Sequence, residues 1–196
     1  MPTRPYRLIL ASSSPYRAEL LRRLQLPFEI AAPAVDESPL SDETARELAL
    51  RLAEKKARAV ESRFPNSLII GSDQVAALEG QLLGKPGHHA AAVAQLHHNS
   101  GKWVDFYTSL CLLNSTSGRV QRDLDLYSVR FRDLTSDQIE SYLQREQPYQ
   151  CAGSFKAEGL GVALLQRHHG DDPTALIGLP LISLVRMLER EGVDIL

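Results

Sequence analysis

Short apolar runs alternate along the chain with stretches whose apolar residues recur at helical spacing. Continuous apolar runs at Leu8–Leu10 and Leu68–Gly71 are typical of strands buried on both faces. Apolar residues three and four positions apart predict helices over Pro15–Leu24 and from about Asp42 to Val60, and Ser41 is the expected N-cap of the second helix. This alternation predicts an α/β fold.

The remaining pattern predicts a sheet that is not purely parallel. Val75–Leu83 has the pattern of a hairpin that turns at Glu79-Gly80. The capping box from Thr135 to Gln138 predicts a helix that continues to about Arg145. The other predicted elements are a helix over His88–His98, strands over Trp103–Leu113, Val120–Arg132 and Val162–Gln166, and a helix from near Pro180 that stops at Gly192.

Composition limits the class of protein. With 196 residues, of which 43% are hydrophobic, the chain can form one large domain or two small ones with a proper core. The net charge of −2 argues against a nucleic-acid binder held by a general basic surface. No segment has the pattern of a signal peptide, and no apolar run is long enough to span a bilayer. Cys111 and Cys151 form no CxxC motif, and we interpret them as buried thiols in a reducing compartment.

The turn from the first strand into the first helix carries the strongest local signal. Three serines, Ser12-Ser13-Ser14, follow the apolar run; Ser14 is a natural N-cap, and Pro15 is a natural first helical residue. Free backbone N–H groups and the helix dipole favour an anion at such a place, and Arg17 adds a fixed positive charge. The alternative is an ordinary capped helix with a surface arginine.

Two further side chains are candidates for chemistry. Asp73 follows the run at Leu68–Gly71 and is expected at the carboxyl end of that strand, where open α/β sheets place their ligands. A carboxylate there can hold a hard cation or take a proton from water, or it can cap its own turn. Lys56 continues the apolar stripe of its helix, whereas Lys55 points about 100° away, so Lys56 lies inward or snorkels at the end of the stripe.

Motifs that the chain lacks narrow the choice of function. There is no GxxxxGK[ST] phosphate loop, no GxGxxG after a strand and no GxSxG nucleophile elbow. The six histidines form adjacent pairs without zinc-ligand spacing, so no transition-metal site is expected. What remains is Arg17, Lys56, Lys85 and Asp73, with carboxylate oxygens also offered by Glu37 in a loop. Cations gathered near an acidic metal site suit a polyphosphate substrate.

Short motifs follow one another in order along almost the whole chain. They are Leu10–Arg17, Val35-Asp36-Glu37, Lys56-Ala57, Gly71–Val75, Gly84-Lys85-Pro86, Cys151–Gly159 and Gly178-Leu179-Pro180. This set resembles the Maf family of house-cleaning nucleoside triphosphate pyrophosphatases, and within it the branch that acts on 7-methyl-GTP. The resemblance implies one Maf/ITPase-like domain over residues 1–196, with a mixed, elongated, twisted sheet flanked by helices and two lobes around a central cleft.

The resemblance also implies a role for each matched residue. Asp73 matches the proton acceptor, and Asp73 and Glu37 match the acidic residues at a divalent metal, Mg²⁺ or Mn²⁺. The other matched phosphate- and metal-site residues are Ser12, Arg17, Lys56 and Lys85, and the matched base-specificity residues are Tyr16, Gln74 and Glu158. The implied enzyme cleaves a nucleoside triphosphate between its α- and β-phosphates. It is implied to be a cytoplasmic homodimer that binds no nucleic acid and no membrane.

The chemistry of two residues favours a methylated guanine. Methylation at N7 makes guanine cationic, and the aromatic face of Tyr16 would attract a cation. An ionised Glu158 only accepts hydrogen bonds, so it can bind the neighbouring N1–H and amino donors of guanine, whereas it would repel the acceptors of thymine. The alternatives are a surface tyrosine and a loop carboxylate. The 7-methyl-GTP branch has a tryptophan where this chain has Tyr16, so the ring is retained but smaller.

The sequence therefore predicts metal-dependent hydrolysis of 7-methyl-GTP to 7-methyl-GMP and diphosphate. Two alternatives stay open at this point. One is a Maf-type pyrophosphatase for dTTP and UTP, and the other is a nucleotide-binding regulator of cell division without turnover. The presence of Asp73 and of both lysines, Lys56 and Lys85, favours an enzyme.

Overall fold

Seven strands form one mixed sheet in a computed structural model that describes residues 6–196. The strands are β1 (Arg7–Ala11), β2 (Glu29–Ile30), β3 (Ser67–Leu78), β4 (Gln81–Leu83), β5 (Trp103–Asn114), β6 (Val120–Phe131) and β7 (Leu165–His169). Their order is β2-β1-β3-β5-β6-β7, and β4 pairs with the far end of β3. β1 runs parallel to both β2 and β3, and every other pairing is antiparallel.

Helices cover both faces of this sheet. They are α1 (Pro15–Arg22), α2 (Ala45–Glu61), α3 (His89–Asn99), α4 (Ser136–Glu146), α5 (Pro173–Ile177) and α6 (Leu181–Arg190), with short 3₁₀ turns at Ala152–Ser154 and Leu160–Leu164. On one face, α2 packs against alternate residues of β3 and β5 such as Ile69 and Cys111. On the other face, α1 and α6 pack against Ile70 and Leu110. This two-sided burial explains why the central strands are continuous apolar runs.

The contact of α2 with β3 is unusually close because small residues meet there. A Cβ atom at Gly71 would collide with the carbonyl oxygen of Ala53. Alternate strand residues share a face, so Asp73 points to the same side of the sheet as Gly71. Lys56 lies on the buried stripe of α2, which places its side chain over Asp73.

Most elements predicted from the pattern are confirmed, with ends shifted by a few residues. The N-cap predicted at Ser41 is wrong: Thr44 caps α2, because it forms a reciprocal capping box with Glu47. The strand predicted over Val162–Gln166 is wrong in its bounds, since a 3₁₀ turn occupies Leu160–Leu164 before β7 begins. Two short elements, β2 and α5, were not predicted, because neither is long enough to show a period.

The mixed sheet with flanking helices agrees with the predicted fold class. The division of residues 1–196 into two lobes stays a prediction. No helix within residues 6–196 is both long and apolar enough to cross a membrane.

Candidate active site

A cleft of about 380 Å³ lies beside the middle of β3. β1 ends at Ala11, opposite Gly71, and the pairing with β4 begins only at Ala76. Between these points one edge of β3 has no neighbouring strand, so side chains from both faces reach the same space. The cleft lining includes every residue that the sequence assigned to a site, namely Ser12, Tyr16, Arg17, Glu37, Lys56, Asp73, Gln74, Lys85 and Glu158.

The predicted position of Asp73 at the end of a strand is wrong. β3 continues to Leu78, because the backbone from Asp73 onwards keeps its antiparallel pairing with β5, where Asp73 lies opposite Ser109. The strand that ends beside the cleft is β1, which runs parallel to β3 and leads directly into α1. A polar Ser-Asp-Gln sequence therefore marks an edge gap in a long strand and not its end.

The turn between β1 and α1 is held by its own serines. The Ser14 side chain accepts a hydrogen bond from the backbone N–H of Arg17 at 3.3 Å, which confirms the predicted N-cap. Ser12 is buried, and its Oγ accepts from the backbone N–H of Ser14 at 3.1 Å. These bonds fix the first turn of α1 so that its N-terminal end faces the cleft.

Arg17 is tied down from the opposite wall of the cleft. Its Nε donates to the carbonyl oxygen of Gly178 at 2.8 Å. The hydroxyl of Ser72 donates to the same carbonyl at 2.9 Å. Burial lowers the pKa of Arg17, and the negative charges of Asp73 and Glu37 oppose that shift. The guanidinium is therefore a fixed cation facing two carboxylates, and the alternative of a surface arginine is wrong.

One lysine joins those two carboxylates. Lys56 Nζ lies 2.5 Å from Oδ1 of Asp73 and 2.7 Å from Oε1 of Glu37. Lys56 and Asp73 are only 5% and 6% exposed, so the lysine does not snorkel into solvent. Loss of solvation raises the pKa of Glu37, but the bond from Lys56 and the charges of Lys85 and Arg17 outweigh it, and the net pKa is lowered.

The two carboxylates can supply two of the ligands that a hard divalent cation needs. Both lie within 2.7 Å of the same Nζ atom, so they lie close together, and each carries a second carboxylate oxygen. Among residues 6–196, no group of three or more His, Cys, Asp or Glu side chains could hold a metal ion. Mg²⁺ suits such a site, since it usually takes one or two carboxylates together with substrate phosphates and water.

The other end of the cleft is more exposed. Tyr16 is 38% exposed on the first turn of α1, and Glu158 is exposed in the loop after α4. Loss of solvation leaves the pKa of Glu158 raised, although a bond from its own backbone N–H group and the charge of Lys156 oppose that shift. Lys85 is also exposed, in the loop that follows β4.

Gln74 uses its amide nitrogen within the protein. Nε2 lies 3.0 Å from Oγ1 of Thr108, 3.0 Å from the carbonyl oxygen of Ala175 and 2.9 Å from that of Leu176. These bonds attach α5 to the sheet. The group that Gln74 can offer to a ligand is therefore its Oε1, a hydrogen-bond acceptor.

Sequence reasoning missed part of the cleft wall. Gly178 has a φ of +121°, a backbone conformation that a residue with a Cβ rarely adopts, and its carbonyl anchors Arg17. The sequence pattern gives no residue of the Gly178-Leu179-Pro180 motif a role, and α5 before it is too short to show a helical period. Cys151 was expected to be buried, but it is half-buried and lines the cleft, where burial raises its pKa to about 11.

These features define an α/β protein whose cleft has the chemistry to hold an anion: a helix N-terminus, an anchored guanidinium and a lysine–carboxylate centre face one space. Comparison with known proteins places it further. The profile of the family described as Maf-like protein matches residues 7–191, and the chain belongs to this family.

Individual relatives are similar over nearly their whole length. A 7-methyl-GTP pyrophosphatase of Nitrosococcus oceani is 58% identical over 192 residues, which cover 98% of this chain and 96% of that protein. A 7-methyl-GTP pyrophosphatase of Methylobacillus flagellatus is 58% identical over 189 residues, covering 96% and 98%. Among solved structures, a nucleoside-triphosphatase (dITP/XTP pyrophosphatase) from Mycobacterium abscessus is 17% identical with a TM-score of 0.42, covering 72% of this chain and 95% of that chain.

Proposed function

We propose that this protein is a nucleoside triphosphate pyrophosphatase that converts 7-methyl-GTP and water to 7-methyl-GMP and diphosphate. The observation that carries the proposal is the buried Lys56, which holds Asp73 and Glu37 together in the cleft that Arg17 also faces. The relatives that are 58% identical bear the name of that activity.

In this mechanism Asp73 is the general base. Lys56 contacts its Oδ1, and we assign one lone pair of Oδ2 to the attacking water, which leaves the other lone pair of Oδ2 for a divalent cation. The water oxygen forms a bond to the α-phosphorus while its proton moves to the carboxylate. The bond between the α-phosphorus and the oxygen that bridges to the β-phosphate breaks, and diphosphate leaves with the bonding electrons. The proton later passes from Asp73 to solvent.

The cations of the cleft stabilise the charge that develops on the phosphates. Arg17 is held by Gly178 and Lys56 by the two carboxylates, so both are oriented before the substrate arrives. The exposed Lys85 adds a further cation, and the neutral hydroxyl of Ser12 can donate a hydrogen bond to a phosphate oxygen. Asp73 and Glu37 would hold a divalent cation, Mg²⁺ or Mn²⁺, which when bound neutralises phosphate charge.

Base recognition falls to the exposed end of the cleft. Tyr16 offers an aromatic face to the cationic ring, and the carboxylate of Glu158 can accept from the two neighbouring donors of guanine. Gln74 offers its Oε1, because its nitrogen is bonded within the protein.

The test is a panel of nucleoside triphosphates assayed for diphosphate release with Mg²⁺ or Mn²⁺ and with chelator. We expect 7-methyl-GTP to give the highest kcat/KM, 7-methyl-GMP as the other product, and loss of activity with chelator. Faster diphosphate release from dTTP or UTP would instead support the alternative of a Maf-type pyrophosphatase for these two nucleotides. Tight binding of a nucleotide without turnover would support the other alternative, a nucleotide-binding regulator of cell division.

Three finer properties belong to the same proposal. The activity would remove a modified nucleotide before it enters nucleic acids, which is a house-cleaning role. The protein would act in the cytoplasm on a small molecule, without nucleic acid or membrane as a partner. It would form a homodimer, which sedimentation at micromolar concentration would test.

A further inference from the structure

The loop that carries Glu158 is held by one residue of α4. Glu146, the last residue of α4, accepts from Lys156 Nζ at 2.5 Å through Oε1 and from the backbone N–H of Leu160 at 2.6 Å through Oε2. The two bonds lie on either side of Glu158 in the chain. Each carboxylate oxygen therefore fixes one flank of the segment that faces the base end of the cleft.

The backbone of this loop is shaped for the same carboxylate. A Cβ at Gly159 would lie 2.5 Å from Oε2 of Glu146, so only glycine lets the carboxylate approach so closely. The phenol of Tyr142, one turn earlier on α4, accepts from the backbone N–H of Lys156 at 3.1 Å and donates to the carbonyl of Ser154 at 3.3 Å. The loop is thus bound to α4 at several points, and Glu146 provides the charged one.

Charge gives Glu146 a second effect. Burial raises the pKa of Tyr16 and of Glu158; the charge of Lys156 opposes both shifts in part, and the charge of Glu146 adds to them, so this pair acts on both base-recognition residues. An ammonium at this place would disfavour a cationic base. The bond from Lys156 lowers the pKa of Glu146, which therefore stays ionised and cancels the lysine charge.

We propose that Glu146 is a positioning residue for base selection: it holds the Lys156–Leu160 loop and cancels the charge of Lys156, so that Glu158 supplies the net charge facing the base. This inference rests on the proposed function, because it assumes a cationic base in the cleft. It assigns no contact between Glu146 and the substrate.

The test compares Glu146→Gln with Lys156→Met, because the two changes alter the local charge in opposite directions. Glu146→Gln exposes the lysine charge, and the ratio of kcat/KM for 7-methyl-GTP to that for GTP should fall by about threefold to tenfold. Lys156→Met leaves the Glu146 charge unopposed, and the same ratio should stay level or rise. A purely structural role would lower the ratio in both variants.

Two controls separate base selection from general damage. Glu140 lies on the same helix, but its side chain bonds to His89 and Gln144 and not to the loop. The ratio of kcat/KM values in Glu140→Gln should therefore match that of the wild type. Inorganic tripolyphosphate contains no base, so its inhibition constant should change by less than about twofold in Glu146→Gln. Lys156→Met added to Glu146→Gln should raise the ratio above that of Glu146→Gln alone, since the uncancelled lysine charge is removed while the loop stays without its carboxylate anchor.

The outcomes are distinct. An unchanged ratio in Glu146→Gln, or a fall of equal size in Lys156→Met, would overturn the inference about Glu146. If Glu146→Gln does not fold, Lys156→Met decides alone: a level or raised ratio supports the inference, and a lowered ratio overturns it. A wild-type protein that does not hydrolyse 7-methyl-GTP would overturn the proposed function itself. The wild-type assay is therefore done before any variant is made.

Discussion

The two ends of the cleft are built differently. At the end where we propose that the phosphates bind, called the phosphate end, Lys56 and Asp73 are 5% and 6% exposed and lie on the long elements α2 and β3, bonded to each other. At the end where we propose that the base binds, called the base end, Tyr16 is 38% exposed, and the exposed Glu158 lies on a loop that Glu146 holds by accepting from Lys156 and Leu160. The phosphate end is a packed part of the core, whereas the base end is attached to its surface.

We propose that the two ends have different tasks. A buried ion pair on rigid elements is oriented before substrate binds, which is what charge stabilisation during phosphoryl transfer requires. Exposed residues on a helix turn and a loop can be replaced with little effect on packing. We infer that base preference can change in such a protein while its catalytic centre stays intact, and the predictions below test this separation.

The largest effect is expected for Asp73, the proposed general base. Asp73→Asn should lower kcat by a factor of about 10² to 10⁴ on every nucleotide, because the amide cannot take a proton from water. Binding of nucleotide, measured by calorimetry, and the circular dichroism spectrum should change little. A folded variant with activity within a few-fold of the wild type would contradict the role of Asp73.

The neighbouring lysines give the next contrast. Lys56→Ala should lower kcat/KM by about 10² to 10³, since it removes an oriented charge from the phosphates and leaves Asp73 buried without its partner. Lys55→Ala is the matched control: Lys55 is exposed, and within residues 6–196 its Nζ donates only to the backbone carbonyl of Asp36, at 2.7 Å. Melting temperatures of both variants separate lost charge from lost folding. Equal rates for the two variants would show that Lys56 has no catalytic role.

At the base end the expected effect is smaller and selective. Glu158→Gln should cost about 1–3 kcal/mol in kcat/KM for 7-methyl-GTP, because one guanine donor would face the amide N–H group and lose its acceptor. The loss should be smaller for dTTP and UTP, whose pairing edge an amide can match. A loss of the same size on all these substrates would mean that Glu158 supports the loop and does not contact the base.

The smallest effect is expected at the aromatic ring. Tyr16→Ala should narrow the preference for 7-methyl-GTP over GTP by about 0.5–2 kcal/mol, because only the methylated base is cationic. Tyr16→Trp should keep or widen that preference, since it supplies a larger ring. Measuring kcat/KM for both nucleotides with both variants checks the prediction. An unchanged ratio in the alanine variant would remove Tyr16 from base recognition.

Features that depend on near neighbours in the chain could be predicted from the sequence, whereas features that depend on distant segments could not. The inward direction of Lys56 followed from helical spacing, and the N-cap at Ser14 from local chemistry, because both depend on near neighbours. The position of Asp73 within β3 could not follow, since pairing with β5 decides it, far along the chain. The anchoring of Arg17 by Gly178 and of the Glu158 loop by Glu146 also depends on contacts between distant segments.

One comparison tests the separation of the two ends most directly. The ratio of kcat/KM for 7-methyl-GTP to that for dTTP is measured for the wild type, Lys56→Ala and Glu158→Gln under one metal concentration and pH. We expect Lys56→Ala to lower both values equally and to leave the ratio within about twofold, because uniform binding of the phosphates carries no base information. Glu158→Gln should lower the ratio by about fivefold or more. A ratio that Lys56→Ala changes as much as Glu158→Gln would contradict the division of the cleft into a catalytic end and a base-selecting end.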